Sequence, residues 1–267
     1  MPTLSGFDVV DPRYLALYER ARSVLDADRR VERVEVTGSI GAGRADQWSD
    51  LDLTVFVGDE HLDAFLAEWP SWLAAITPTV FARTPIAPFI VNTVTDDGLT
   101  LDIVVRSATR PVVEPQGGYV VGMLSRLRFE RIGEALEYAV AEQLRGLAGP
   151  FISLVQREEH LRHLMGAPHI LGLLTTVFLA ETGSMPPGKL WNDTFTPEQR
   201  AAVAMLPALG ATREAIVSFG IGVARLVVTR ARPLYPRYGL EWPSPLAGVA
   251  ARRLADALDL DVAEWLH

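Results

Sequence analysis

Hydrophobic positions in the first hundred residues alternate between two spacings. Over 14–25, Leu15, Leu17, Tyr18, Ala21 and Leu25 fall on one stripe behind Pro12, the spacing of an amphipathic helix with proline in its first turn. From Val31 to Val36 the period drops to two, and the run ends at Thr37-Gly38, which predicts a strand entering a turn. A second strand is predicted over Leu51–Val57, and a helix over Glu60–Ala75 with Leu62, Phe65, Leu66 and Leu73 inward. Thr77–Ala87, punctuated by proline, reads as extended. Phe89–Thr95 and Leu99–Val105 flank Asp96-Asp97-Gly98, a hairpin signal because glycine tolerates positive φ in a tight turn.

Beyond Pro111–Gly118 the strand pattern stops and helical spacing takes over. Helices are predicted at about 125–146, 151–166, 169–182, 197–206, 212–231, 245–258 and 261–266. Gly149-Pro150, Pro168, 183–188 and 233–245 are the predicted breaks. The expected fold class is α+β, with a mixed-sheet domain at 1–115 and an all-helical domain at 116–267.

Composition narrows the chemistry. Hydrophobic residues make up 49% and charged residues 22% of 267, the proportions of an ordinary globular protein. A net charge of −8 argues against a surface that binds nucleic acid and suits a cationic partner. The absence of cysteine excludes disulfides, thiolate zinc sites and cysteine nucleophiles. Met1–Asp11 lacks a basic start followed by an apolar run, and the longest apolar stretch, Ile170–Ala180, is too short to span a bilayer. A soluble, cytoplasmic chain with no membrane partner is the expectation. Lys189 is the only lysine.

The informative segment runs from Thr37 to Leu53. Asp50 and Asp52 stand at i and i+2 where a strand begins, so both project from one face while Leu51, Leu53, Val55 and Val57 point into the core. Two carboxylates side by side repel unless a cation lies between them, and hard oxygen donors suit Mg²⁺ or Mn²⁺. Upstream, Gly38-Ser39 lies where a strand turns into a short helix, with Gly41 and Gly43 behind it. Glycines allow close backbone approach, and a helix start offers free N–H groups to phosphate. The spacing is neither the Rossmann fingerprint nor a P-loop. Asp102 is an isolated acid on the polar face of the strand from Leu99 to Arg106, and burying a lone carboxylate is costly unless it is paired or metal-bound. A phosphate cradle beside a carboxylate metal site is the chemistry of nucleotidyl transfer.

Gly38-Ser39, ten residues, Asp50-Leu51-Asp52-Leu53, then Asp102 about fifty residues on, resembles the DNA polymerase beta-like nucleotidyltransferase superfamily. The fuller run, with Gly43, Ala45-Asp46 and Ser49, is similar to its small-substrate branch, the aminoglycoside and minimal nucleotidyltransferases. The resemblance covers roughly 36–106. It implies that Asp50, Asp52 and Asp102 form the catalytic, metal-ligating set for Mg²⁺, two ions, with Mn²⁺ as substitute. Asp102 is implied either as third ligand or as an aid to deprotonating the acceptor. It implies further that Gly38, Ser39, Gly43 and Ser49 bind ATP or another nucleoside triphosphate, and that a helical C-terminal domain binds the acceptor. Lys189, after Pro186-Pro187-Gly188 and before Trp191, matches Pro-rich Lys-Trp segments of such helical domains and is placed at the β/γ-phosphates. The implied reaction moves a nucleoside monophosphate to a hydroxyl of a small, cationic acceptor such as an aminoglycoside antibiotic, conferring resistance, and releases pyrophosphate. Two other readings stay open: a toxin–antitoxin or regulatory enzyme acting on protein or tRNA, with a groove of Arg126, Arg128, Arg131, Arg225, Arg230 and Arg232, and a non-catalytic nucleotide-binding module.

Several residues have plainer readings. Ser39 also suits a helix N-cap. Arg44 and Asp46 read as solvent-facing and Trp48 as packing, and Glu130, Glu134, Glu158 and Glu159 read as solvated helix positions. His160, His163 and His169 cluster with Arg157 and Arg162, and Arg162-His163 followed six residues later by His169 faintly resembles the Arg-x-His pattern of HEPN ribonuclease domains. They are better read as surface residues of an amphipathic helix.

Overall fold

The computed structural model describes residues 6–84, 89–109, 129–183 and 191–266, and the chain divides into two compact units, Met1–Tyr119 and Val120–His267. The architecture is α+β: a mixed five-stranded sheet in the N-terminal half and helices thereafter. The segment 111–118, expected to separate two domains, lies outside the described residues.

In the first unit, α1 (Arg13–Asp26) is followed by β1 (Val31–Val36), the four-residue turn of helix α2 (Gly38–Gly41) and β2 (Leu51–Val57). Then come α3 (Leu62–Ala67), α4 (Trp69–Ile76), β3 (Thr79–Arg83), β4 (Ile90–Thr95) and β5 (Thr100–Ser107). The sheet order is β1-β2-β5-β4-β3, with β2 and β5 parallel and the other pairs antiparallel. Alternation sets the faces as the sequence predicts. Leu51, Leu53, Val55 and Val57 of β2 and Leu101, Ile103 and Val105 of β5 are buried and join Leu17, Ala21 and Leu25 of α1 and Phe65 of α3 in one core. Each such aliphatic side chain contributes about 1.5–3 kcal/mol on burial. Tyr14 ties α1 to the start of β5, its hydroxyl lying 3.2 Å from Thr100 Oγ1 and accepting from the Thr100 N–H at 3.2 Å.

The single helix expected over 60–75 is two. A 3-10 turn (Asp59–His61) leads into α3, and the chain breaks at Glu68 before α4. Pro70 explains the break, because it has no N–H to offer the Leu66 carbonyl and its ring crowds that oxygen. As Pro70 occupies the first turn of α4, it costs that second helix nothing. Trp72 then closes the joint, stacking on Phe65 with centroids 5.3 Å apart and donating its indole N–H to the Phe65 carbonyl at 3.1 Å.

The second unit contains α5 (Ile132–Ala148), α6 (Pro150–Gln156), α7 (His160–Thr182), α8 (Trp191–Thr194), α9 (Pro197–Ala204), α10 (Arg213–Ala231), α11 (Ser244–Leu258) and α12 (Ala263–Leu266). Here α5 packs against α7 and α11, and α7 against α10. Gly220 of α10 permits one close approach, since a Cβ there would meet the Phe151 ring at 2.5 Å. The helix expected from about 125 begins at Ile132, with 125–128 outside the described residues.

One predicted break moves. Pro168 does not end a helix: α7 runs through it for 23 residues. The lost hydrogen bond and ring clash cost about 3 kcal/mol, which burial of Leu173, Leu174, Val177 and Phe178 in the following turns offsets. The real break is at 157–159, where Glu158 takes φ +55° after α6. No glycine or proline marks it. Because α7 is continuous, it is the one helix among the described residues long and apolar enough, by length and composition, to cross a membrane. The apolar run seen in the sequence is only part of it, and eight of its residues, from His163 to Ala180, are buried.

The three histidines are not surface residues. His163 is 5% exposed, its ring 6.0 Å from that of Phe151, and its Nε2 is buried with no hydrogen-bond partner; His160 and His169 are half-buried. Burial holds His163 and His169 below the ordinary histidine value, because it disfavours the charged ring. A depressed histidine makes its full contribution above the unfolded value of 6.5, and that stability is lost as pH falls below it. Thermal melts between pH 7.5 and 5 should therefore show a decline that is shallower in His163→Leu than in the wild type; equal slopes would contradict this account.

Candidate active site

The turn between β1 and β2 is fixed by one main-chain bond: the Thr37 N–H donates to the Asp52 carbonyl at 2.9 Å. This lays the start of α2 beside the second residue of β2. Gly38 has φ +58°, and a Cβ built on it would collide with the Asp52 carboxylate. Glycine is required there twice over, by backbone conformation and by the carboxylate seated against it. Gly43 has φ +65° and faces open space. Thr37 occupies the N-cap position of α2, so Ser39 is not the cap; it lies inside the turn, half-buried, with its carbonyl accepting from the Arg44 N–H at 2.9 Å.

Parallel pairing of β2 with β5 sets Asp52 directly opposite Asp102, neighbouring strands lying about 4.8 Å apart. Asp50, two residues before Asp52, shares its face. One carboxylate oxygen from each of Asp50, Asp52 and Asp102 lies within 4.8 Å of the others, and all three side chains are half-buried. Three sequence-predicted residues thus meet at one point. Burial pushes Asp52 up to about 7, and the charges of Asp50 and Asp102 add to the shift. A divalent cation would relieve both causes at once. The donor set is all carboxylate oxygen on one side of a sheet, which fits Mg²⁺ or Mn²⁺ and not a softer ion.

Ser49 is only 2% exposed, in contact with Asp46. Trp48 is half-buried, and Asp46, expected to face solvent, is half-buried as well. Lys189 lies outside the described residues. So do Arg126 and Arg128 of the arginine groove. Of the remainder, Arg131 pairs with Glu134 at 2.8 Å and Arg230 with Glu181 at 2.9 Å. Arg232 donates to the Leu266 carbonyl at 2.7 Å and stacks over Trp242. Those three are committed to partners in their own unit, and Arg225 is exposed.

One residue was missed. Asn92 of β4 stands opposite Asp102, extending the row Asp52–Asp102 by one strand on the same face. The sequence held the signal: pairing Thr95 with Leu99 across the Asp96-Asp97-Gly98 turn places residue 92 against 102, and asparagine is rare inside strands.

A scan against protein-family models finds no match, and a search of curated proteins finds none. Among solved structures, the chain is similar to an aminoglycoside 6-adenyltransferase from Bacillus subtilis, at 12% identity over 90% of this chain and 95% of that one, with a TM-score of 0.31.

Two outcomes follow from the geometry. Gly38→Ala should cost stability on the order of 1–3 kcal/mol, since alanine strains a positive φ, and should displace the Asp52 carboxylate and weaken Mn²⁺ binding; an alanine variant that melts and binds like wild type would contradict the fit. Asp52 holds a proton up to about 7 when folded and only to 3.8 when unfolded, so its stabilising contribution is complete below 3.8 and is lost as pH rises through 7. Apparent Mn²⁺ affinity should accordingly rise by up to about tenfold per pH unit below 7 and level off above it, and a titration flat from pH 5.5 to 8 would refute the coupling.

Proposed function

We propose that the chain is a divalent-metal-dependent nucleotidyltransferase that moves a nucleoside monophosphate, AMP from ATP in the preferred reading, to a hydroxyl of a small molecule. The observation that carries the proposal is the meeting of Asp50, Asp52 and Asp102 beside the Gly38-Ser39 turn. Asp50, Asp52 and Asp102 hold the metal. Bound Mg²⁺ or Mn²⁺ supplies charge neutralisation of the triphosphate and of the entering and leaving oxygens. The Ser39 hydroxyl and the backbone from Gly38 to Gly43 meet the triphosphate, where first-turn N–H groups lack intrahelical partners. Lys189 is proposed as a nucleotide-binding residue on the sequence resemblance alone.

In the reaction the acceptor oxygen forms a bond to the α-phosphorus, the bond from that phosphorus to the bridging oxygen breaks, and pyrophosphate leaves. The hydroxyl proton must go to a base, and Asp102 is the carboxylate proposed to take it. Asn92, opposite Asp102 in the neighbouring strand, is proposed to orient the acceptor hydroxyl. The helical unit binds the acceptor, and the net charge of −8 suits a polycation such as an aminoglycoside.

Wild-type protein with Mg²⁺, ATP and a panel of aminoglycosides should release pyrophosphate and yield an adenylylated product detectable by mass. Asp50→Asn should lower the rate by about 10³-fold or more, the equivalent of several kcal/mol, while melting as a folded protein. Mg²⁺-dependent stabilisation by ATP, worth about 2.7 kcal/mol at a hundredfold excess over Kd, tests nucleotide binding without any acceptor. Near-normal turnover in Asp50→Asn would end the proposed mechanism.

A further inference from the structure

The four residues before Asp50 close on themselves. Asp46 Oδ1 accepts from the Trp48 N–H at 2.9 Å and from the Ser49 hydroxyl at 3.1 Å. In return, Ser49 Oγ accepts from the Asp46 N–H at 3.0 Å, and the Ser49 N–H donates to the Asp46 carbonyl at 3.0 Å. Ser49 is 2% exposed at the centre of this ring. Asp50 itself lies one residue before β2: the ladder with β5 starts at Leu51 and that with β1 reaches only Leu53. Strand pairing therefore fixes Asp52 and Asp102 but not the main chain of Asp50.

Something else must aim that carboxylate, and the residue bonded to it in the chain is the most constrained in the loop. We infer that Asp46 and Ser49 are positioning residues, which lock the 46–49 turn so that Asp50 is delivered against Asp52 and Asp102. Ser49 acts through the loop and not by touching nucleotide. The inference rests on the metal-binding reading of the three carboxylates. Asp46 accepts two hydrogen bonds at Oδ1, and an amide oxygen at that position reproduces this acceptor.

The test uses Mn²⁺ alone as probe, with free ion followed by electron paramagnetic resonance, on the full chain and four variants whose melts are recorded without metal. Ser49→Ala and Asp46→Ala should weaken Mn²⁺ binding by about 10- to 100-fold, the usual effect of losing groups that orient a ligand. Asp46→Asn should stay within about twofold of wild type, and Asp50→Asn should lose the site. A loop that is merely structural would lower the melting temperature and leave Mn²⁺ affinity unmoved. If Ser49→Ala does not fold, the contrast between Asp46→Ala and Asp46→Asn decides the matter. Wild-type affinity in Asp46→Ala or in folded Ser49→Ala overturns the positioning role while sparing the metal site; a wild-type protein that takes up no Mn²⁺ overturns the metal reading itself.

Discussion

Repulsion among carboxylates, with Asp52 and Asp102 held side by side by the parallel pairing of β2 and β5 and Asp50 beside them, is the constraint on which the candidate site turns. The pairing is not chosen by the acids. Leu51, Leu53, Val55 and Val57 on one strand and Leu101, Ile103 and Val105 on the other are driven into the same core, and alternation then presents Asp52 and Asp102 together on the opposite face. Hydrophobic burial on one side of the sheet thus holds like charges together on the other. Gly38 follows from the same arrangement, because only a residue without Cβ leaves room for Asp52 where Thr37 bonds to it.

This coupling explains why so much of the candidate site was legible in the sequence. A strand with period-two burial declares which acids share a face, and the Asp96-Asp97-Gly98 turn fixes the β4–β5 register by counting. Legibility failed where tertiary packing outweighs local preference. Pro168 looks like a terminus, yet the apolar turns beyond it are buried strongly enough to carry α7 through. The break at 157–159 has no breaker residue, since the positive φ falls on Glu158. His163 has a polar side chain in a mixed sequence, and only packing beside Phe151 reveals that it is internal. In each case the outcome shows in burial and backbone geometry and not in the hydrophobic period of the segment itself.

The arginines of the helical unit show the same limit from the other side. Read as a charge pattern, they resemble a basic groove. In the structure, Arg230 lies over Phe178 and pairs with Glu181, whose carboxylate also accepts from the buried Gln199 at 2.6 Å. Arg232 caps the Leu266 carbonyl. These guanidiniums satisfy acceptors and cover aromatic faces within the unit, a use of arginine that depends on its planar fork and not on charge alone.

The placement of the acids also bears on how the first unit comes together. Asp52 belongs to the second strand in chain order, Asp50 stands just before it, and Asp102 belongs to the fifth, with α3, α4 and two strands intervening. β1 and β2 can meet early as neighbours, but the third carboxylate arrives only when the longest-range pairing in the sheet is made, the slow kind of contact. A cation that needs all three oxygens recognises the finished sheet and none of its precursors. Such an ion is a clasp on the assembly as much as a reagent, joining the segment that starts the sheet to the one that completes it.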